Sequence, residues 1–501
     1  MAGAPLWIAG LLLALANFMV VLDTTIANVS VPNIAGGLAV SPDQGTWVIT
    51  SYSVAEAITV PLSGWLAQRF GAVRVFCVAM VCFGVCSALC GLAPSLSVLV
   101  LFRVMQGLSG GPMMPLSQTL MRRIFPAHMQ GTALGLWGMT TVVGPIVGPL
   151  LGGALVDGPG WPWVFYINVP PALICAFFAW RMLKSRETST QRRPVDIFGL
   201  ALLILWVGSM QIMLDKGKDL DWFDSRFIVA LAIVAALGFL AFINWELTDK
   251  NPIVDLRVFR HRGFAASTLI MCIVFGTFFS SVVLIPLWLQ TSMGYTATWA
   301  GRVTAWQGLF AVILSPIVGR LVTRVDSRAL VCFGVLLMAG VSFWRIGFTT
   351  DAGYWSIALP HLLLGAAVPF FFIPLTGLAL SSVRPEETAS AAGLLNFART
   401  TSGAFAVSIT TTAWSNETTL HHVDLAGNLH NPNATLGALQ SLGLSAQQAV
   451  GALDNLVQGQ AVMVATDHIF LINALLFLVG AGVVWFAPRP KAQVAAGVGG
   501  H

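Results

Sequence analysis

Apolar stretches of about 20 residues recur along the chain, each long enough to cross ~30 Å of hydrocarbon as a helix. Short polar segments separate them and hold most of the charge. Counting the stretches predicts fourteen spans, at approximately 6–31, 46–68, 73–92, 96–121, 131–155, 163–182, 196–214, 226–246, 263–289, 298–320, 329–348, 355–380, 388–414 and 467–487. Hydrophobic residues make up 56% of the 501 and charged residues 9%, where a soluble domain carries about 25% charge. The pattern is that of an all-α polytopic membrane protein. The first stretch, from about Leu6 to Val31, lacks a basic leader and is too long for a signal h-region, so it reads as a retained span.

Lysine and arginine set the expected orientation. Nineteen of the 26 fall after even-numbered spans or in the tails, five fall on the other side, and Arg103 and Arg399 lie within spans. That asymmetry puts both termini of the multi-pass chain in the cytoplasm. The net charge of +5 is then a topology signal, and no basic-aromatic nucleic-acid motif accompanies it. The seven cysteines (Cys77, Cys82, Cys86, Cys90, Cys175, Cys272, Cys332) all fall within spans. Small polarizable side chains suit helix packing there, and no disulfide framework, redox site or cofactor is implied.

An internal echo divides the chain. The run from Gly64 through Arg69 to Arg74 follows span two, and the run from Gly319 through Arg324 to Arg328 follows span ten, 255 residues later. Parallel repeats of six-helix halves are one transporter architecture. The expected organisation is a six-helix bundle over 1–182, a linker and inserted two-helix hairpin over 183–262, a second six-helix bundle over 263–487, and a tail at 488–501. Within the second bundle an external loop over 415–466 is expected, about 50 polar residues followed by a helix around Ala446–Val464. A loop that long is usually functional, and a periplasmic partner is one use for it. His421 and His422 lie in this loop without a carboxylate or cysteine at clear metal-ligand spacing, so no metal site is expected.

Three ionisable residues sit inside the first four spans: Asp23, Glu56 and Arg103. Such a side chain in hydrocarbon costs roughly 3 kcal/mol or more, so it persists mainly where it lines a pathway or moves a proton. At 1.5 Å per residue all three lie roughly 10–15 Å below the outer face, which allows a shared site. Proton coupling is the expected role; a static ion pair fixing helix packing is the alternative.

The stretch Leu22-Asp23-Thr24-Thr25-Ile26-Ala27-Asn28-Val29-Ser30-Val31-Pro32 resembles the span-one signature of the fourteen-helix drug:proton antiporters of the major facilitator superfamily. Gly64, Arg69, Gly71 and Arg74 resemble the superfamily's cytoplasmic loop motif at the inner gate, with Gln68 departing from the usual Asp. Arg103-Val104-Met105-Gln106-Gly107 is similar to the span-four motif tied to proton transfer. Gly144, Gly148, Pro149, Gly152 and Gly153 are similar to the antiporter signature of span five, whose small residues allow close helix approach and whose prolines favour a kink. The runs Gln211–Phe223, Glu246–Leu256 and Gly294–Gly301 narrow the resemblance to the EmrB-like branch.

What the resemblance implies is a major facilitator fold of two six-helix bundles plus the inserted hairpin. It further implies proton-driven export of hydrophobic drugs, uncouplers or fatty acids by alternating access. A periplasmic adaptor (membrane fusion) protein and an outer-membrane channel are the implied partners. For substrate contacts the polar stripe Asn17, Thr24 and Asn28 on span one is a candidate, with Gln106 on span four and Asn396 and Arg399 on span thirteen. Pro369 to Pro374, with three phenylalanines between, reads first as a packing face and second as an aromatic wall. Two other functions stay open: a proton-coupled importer of a small metabolite, and a non-transporting lipid-handling or scaffold protein.

Overall fold

The computed structural model describes residues 3–126, 129–191, 194–429 and 431–488. Of the tail expected at 488–501, only Pro488 lies among them. In chain order the helices are α1 (Ala4–Gly37), α2 (Pro42–Gly45), α3 (Trp47–Thr59), α4 (Ser63–Phe70), α5 (Ala72–Gly91), α6 (Leu96–Gly110), α7 (Met113–Ile124), α8 (Gln130–Asp157), α9 (Trp163–Tyr166), α10 (Val169–Leu183), α11 (Ile197–Lys216) and α12 (Arg226–Thr248). They continue as α13 (Arg262–Thr291), α14 (Ala297–Leu321), α15 (Ser327–Arg345), α16 (Tyr354–Ser381), α17 (Thr388–Gly427), α18 (Pro432–Ser441) and α19 (Ala446–Val483).

Each of the fourteen expected spans has a helical counterpart, yet the count by length and apolarity is lower. Among the described residues eleven helices are long and apolar enough to cross a membrane, and a twelfth is α8, bent by 44° between Pro145 and Val147. Span two is divided into α3 and α4 by the turn at Val60–Leu62. Span thirteen is continuous helix, but the serines and threonines of α17 keep it too polar to qualify on composition alone.

The region 415–466 departs from expectation. In place of a loop, α17 continues unbroken to Gly427 and α19 starts at Ala446, capped by Ser445 and Gln448 in a capping box. Two spans thus extend past the apolar zone as helices, and α18 bridges their tips. Asp467, expected at the start of span fourteen, lies well inside α19 and caps nothing.

Packing follows the small residues. α1 lies along α8, α3 along α6, α5 along α10, α13 along α17, α14 along α16, and α15 along α19, while the α11–α12 hairpin leans on α3. The N-terminal helices meet the C-terminal ones along α8–α14, α4–α17 and α7–α17. At one end these contacts have no room for a side chain. A Cβ on Gly64 would strike Ser390, one on Gly131 the Gly319 carbonyl, and one on Gly393 the Val60 carbonyl. That end also carries Gly71, whose φ of 93° demands glycine. There the Glu187 carboxylate accepts from the Val73 and Arg74 amides at 2.9 and 3.0 Å, closing the start of α5. At the equivalent turn of the echo, Asp326 accepts from the Arg328 amide at 2.9 Å.

Candidate functional site: a buried ion-pair cluster and a central cavity

Asp23 and Arg103 meet. Arg103 Nη1 donates to Asp23 Oδ2 at 2.6 Å, and both side chains are fully buried. Gln106 Nε2 and Asn168 Nδ2 donate to Asp23 Oδ1 at 2.9 and 2.8 Å, so the carboxylate accepts three bonds. Arg103 also donates to Gln106 Oε1 at 2.8 Å and, through Nε, to the Val48 carbonyl at 2.9 Å. Its guanidinium stacks over Tyr52, 4.2 Å from the ring centre. Four helices therefore converge on one ion pair: α1 holds the carboxylate, α6 supplies the arginine and glutamine, the start of α10 supplies Asn168 to the carboxylate, and α3 supplies a carbonyl and a ring to the guanidinium. The carboxylate is well satisfied, while Arg103 Nη2 is buried without a hydrogen-bond partner among the described residues.

Asn168 escaped the sequence reading. A polar residue just before Val169-Pro170-Pro171 at a helix start reads as an N-cap, yet it makes no side-chain cap bond and turns to Asp23. Ser87, which accepts from Gln106 and donates to the Phe165 carbonyl, was equally silent.

Glu56 does not join this cluster, although it lies at similar depth. It faces a central cavity of about 550 Å³ lined among others by Thr24, Asn28, Met114, Pro145, Pro149, Phe275, Phe278, Phe371, Phe372 and Arg399. Glu56 and Asn28 also line a neighbouring polar cavity of about 440 Å³ that reaches Thr46, Ser53, Asp215, Lys218 and Asp219. Asp215 accepts from Gln211 at 3.1 Å. Glu56 thus stands in the wall shared by a largely apolar, aromatic cavity and a more polar one. The motif-like run Gln211–Phe223 held the signal for this second cavity, but only folding sets it beside α3.

Of the proposed cavity residues, Thr24, Asn28 and Arg399 are in the lining. Asn17, Gln106 and Asn396 are not. Asn17 donates to the Trp137 carbonyl and to Thr140, tying α1 to α8. Gln106 is committed to Asp23, and Asn396 donates to Gln118 at 2.9 Å, joining α17 to α7. Their amide NH2 groups are spent on these contacts between helices, although Asn17 Oδ1 is buried without a partner among the described residues. The Pro369–Pro374 segment supplies an aromatic wall, since Phe371 and Phe372 face the cavity while Phe370 packs on Phe333. Arg399 sits among Trp137, Phe275 and Phe372, 5.6 to 5.7 Å from each ring centre, and donates to Met114 Sδ at 3.0 Å.

The span-five glycines build the α1–α8 contact. A Cβ on Gly144 would meet Val21, one on Gly148 would meet Thr25, and one on Gly152 would touch Ile26. Thr25 Oγ1 donates to the Gly144 carbonyl at 3.3 Å. Pro149 turns its ring to the cavity, and Gly153 faces open space. In the loop motif Gly64 and Gly71 are the tight contacts described above, and Arg69 lies over Trp65 and Phe70. Arg74 is exposed on the first turn of α5.

His421 has neighbours that spacing did not reveal. Glu417 lies one turn earlier on α17, and His468 reaches it from α19, so the three could hold a metal ion. The expectation of no partner is corrected by the helical form of this region, which brings residues 47 positions apart together.

A buried charge cluster beside a drug-sized cavity, enclosed by long apolar helices, defines a membrane transporter. The family model described as Major Facilitator Superfamily matches residues 13–407. In fold the chain is similar to the proton:xylose symporter XylE, with TM-score 0.61, 15% identity and 98% of each chain covered. In sequence it is 45% identical over 505 residues to the multidrug export protein EmrB of Escherichia coli K12, covering 100% of this chain and 98% of that one. It is 42% identical to the fatty acid resistance protein FarB of Neisseria gonorrhoeae, covering 100% and 99%. The chain belongs to the Major Facilitator Superfamily and, within it, to the EmrB family of export proteins. It is a transporter, not an enzyme.

Proposed function

We propose that this protein is a proton-driven multidrug efflux antiporter that exports hydrophobic toxic compounds from the inner membrane by alternating access. The observation that carries the reading is Glu56, a carboxylate in the wall between an aromatic cavity of drug size and a polar cavity. A proton arriving through the polar side and a substrate arriving in the aromatic side compete for the same wall. Asp23 and Arg103 form the second proton-handling element: protonating Asp23 releases Arg103 and the four helices it ties. Thr24, Asn28 and Arg399 contact the substrate, with Phe371 and Phe372 as its apolar walls. The names of the relatives EmrB and FarB support export of lipophilic molecules.

In this reading the bundles 1–182 and 263–487 rock about the cavity, with the hairpin within 183–262 against the first, and both termini are cytoplasmic. The glycine contacts at Gly64, Gly131 and Gly393 are the closed inner gate, so the conformation is outward-facing. The helical extension over 415–466 is the docking surface for a periplasmic adaptor, which couples the pump to an outer-membrane channel. Each proton descending 100 mV supplies about 2.3 kcal/mol for export.

Inside-out proteoliposomes with an acidic lumen test this directly. A hydrophobic fluorescent dye should accumulate only while the pH gradient stands, and Glu56→Gln should stop it at unchanged protein content. Dye flux indifferent to the gradient, or unchanged in both Glu56→Gln and Asp23→Asn, would sink the antiport mechanism.

A further inference from the structure

We propose that Glu417, His421 and His468 form a binding site for a borderline divalent cation, with zinc as the reference metal, clamping α17 to α19 where both leave the apolar zone. His468 Nδ1 lies 2.7 Å from Glu417 Oε2, and His421 Nε2 lies 3.5 Å from the same oxygen. The three ligand atoms all fall within 4.8 Å of one another. Ligands about 2.0–2.1 Å from a tetrahedral zinc stand about 3.4 Å apart, so side-chain rotation alone closes the site. Two imidazoles and one carboxylate suit zinc, cobalt, nickel or copper and do not suit calcium or magnesium, which take oxygen ligands.

The convergence has a geometric cause. Helical side chains lean toward their own N-terminus, and α17 and α19 run antiparallel. Glu417 and His421, one turn apart, therefore lean down α17 while His468 leans up α19. The two helices are also tied beside the site, where Trp414 Nε1 donates to Thr466 Oγ1 at 2.9 Å. The His468 side chain is 47% exposed, which leaves an entry path and a fourth position for water. In the metal-free site the Nδ1–H tautomer of His468 donates to the Glu417 carboxylate; with a cation bound the ring takes the Nε2–H tautomer, its proton kept on Nε2 and its Nδ1 lone pair on the metal. His422 does not take part, because it bonds Asp454 at 2.9 Å further along the extension. The site stands independently of the transport reading.

The test is zinc binding by untagged, chelator-stripped protein in lipid nanodiscs, followed by equilibrium dialysis and by cobalt absorption. Wild type should hold one zinc ion that His421→Ala/His468→Ala lacks. Affinity should fall by more than the about 10–100-fold typical of losing an outer-shell partner. Cobalt should give the visible bands of a tetrahedral nitrogen–oxygen site in wild type and in His422→Ala, and lose them in Glu417→Gln. Zinc should also raise the unfolding temperature of wild type and of His422→Ala, and not that of His421→Ala/His468→Ala, since it binds only the folded arrangement. The cysteines are common to all variants, so their contribution cancels in the comparison. Equal zinc binding by wild type and the double variant, or none by wild type at micromolar free metal, would overturn the proposal.

Discussion

Asp23 is fully buried and accepts three hydrogen bonds, so removing its charge has two separable consequences. Asp23→Asn should abolish pH-driven flux. It should also destabilise the fold by on the order of 3–5 kcal/mol, because Arg103 is left buried without a counter-charge. Adding Arg103→Met should restore much of the unfolding midpoint and none of the flux; a double variant as unstable as Asp23→Asn would remove the counter-charge explanation. Glu56→Gln is the contrast. Its side chain lines two cavities and makes no hydrogen bond or ion pair among the described residues, so flux should be lost with a smaller loss of stability than in Asp23→Asn. The identities of Asp23, Glu56 and Arg103 were legible as expensive charges in apolar spans. Which of them pair was not, because depth along a helix carries no information about the direction a side chain faces.

Helix contacts explain why the span-five motif is glycine. Gly148→Val would drive a branched side chain into Thr25 and should destabilise by about 1–3 kcal/mol, read as reduced folded yield or a lowered unfolding midpoint. Gly153→Val, five residues on with nothing within 4 Å, should leave both readouts unchanged. Another joint lies outside the spans, where Glu387 at the start of α17 binds Arg260 and His261 of the segment before α13. Partial burial opposes the Glu387 charge, but the Arg384 amide, His261 and Arg260 outweigh it and hold the carboxyl below its usual range. A carboxyl held low in the folded state adds stability above the unfolded value of about 4.3, lost as pH falls through the folded value. Glu387→Gln should therefore lower the unfolding temperature at pH 7, by a margin that shrinks as pH falls below about 4.3. A deficit that persists in acid would show that the joint is steric.

Across the whole molecule, glycine contacts shut one end while the aromatic cavity lies between the two sets of helices. Gly64→Leu should pry α4 from α17 and shift the population toward opening at that end. Thiol labelling of a cysteine placed at Ser390 should then rise. Unchanged labelling would separate the glycine contacts from the gate. The extension makes a different demand. Because α17 and α19 continue through it as helices, excising all of 415–466 would break the Trp414–Thr466 bond and two spans with it. Replacing only 428–445 with a short flexible linker should spare dye flux in vesicles and abolish co-purification of a periplasmic adaptor. Loss of both would place the extension in the transport cycle itself.

Hydrophobic periodicity alone determined that the chain is a bundle of membrane helices, because each span must satisfy its own backbone in hydrocarbon and so declares itself by length and apolarity. The glycines and prolines of span five likewise marked it as a helix of close approach and a kink, while its partner, α1, came only from the fold. Partnership was decided only in three dimensions. Asn168 joined Asp23, Glu56 left the trio for the cavity wall, Asn17 and Asn396 became helix ties, and His468 reached Glu417 across 51 residues of chain. Each of these depends on the rotation of one helix about its axis relative to another. That rotation is set by the fit of all their side chains together, which no single stretch of sequence contains.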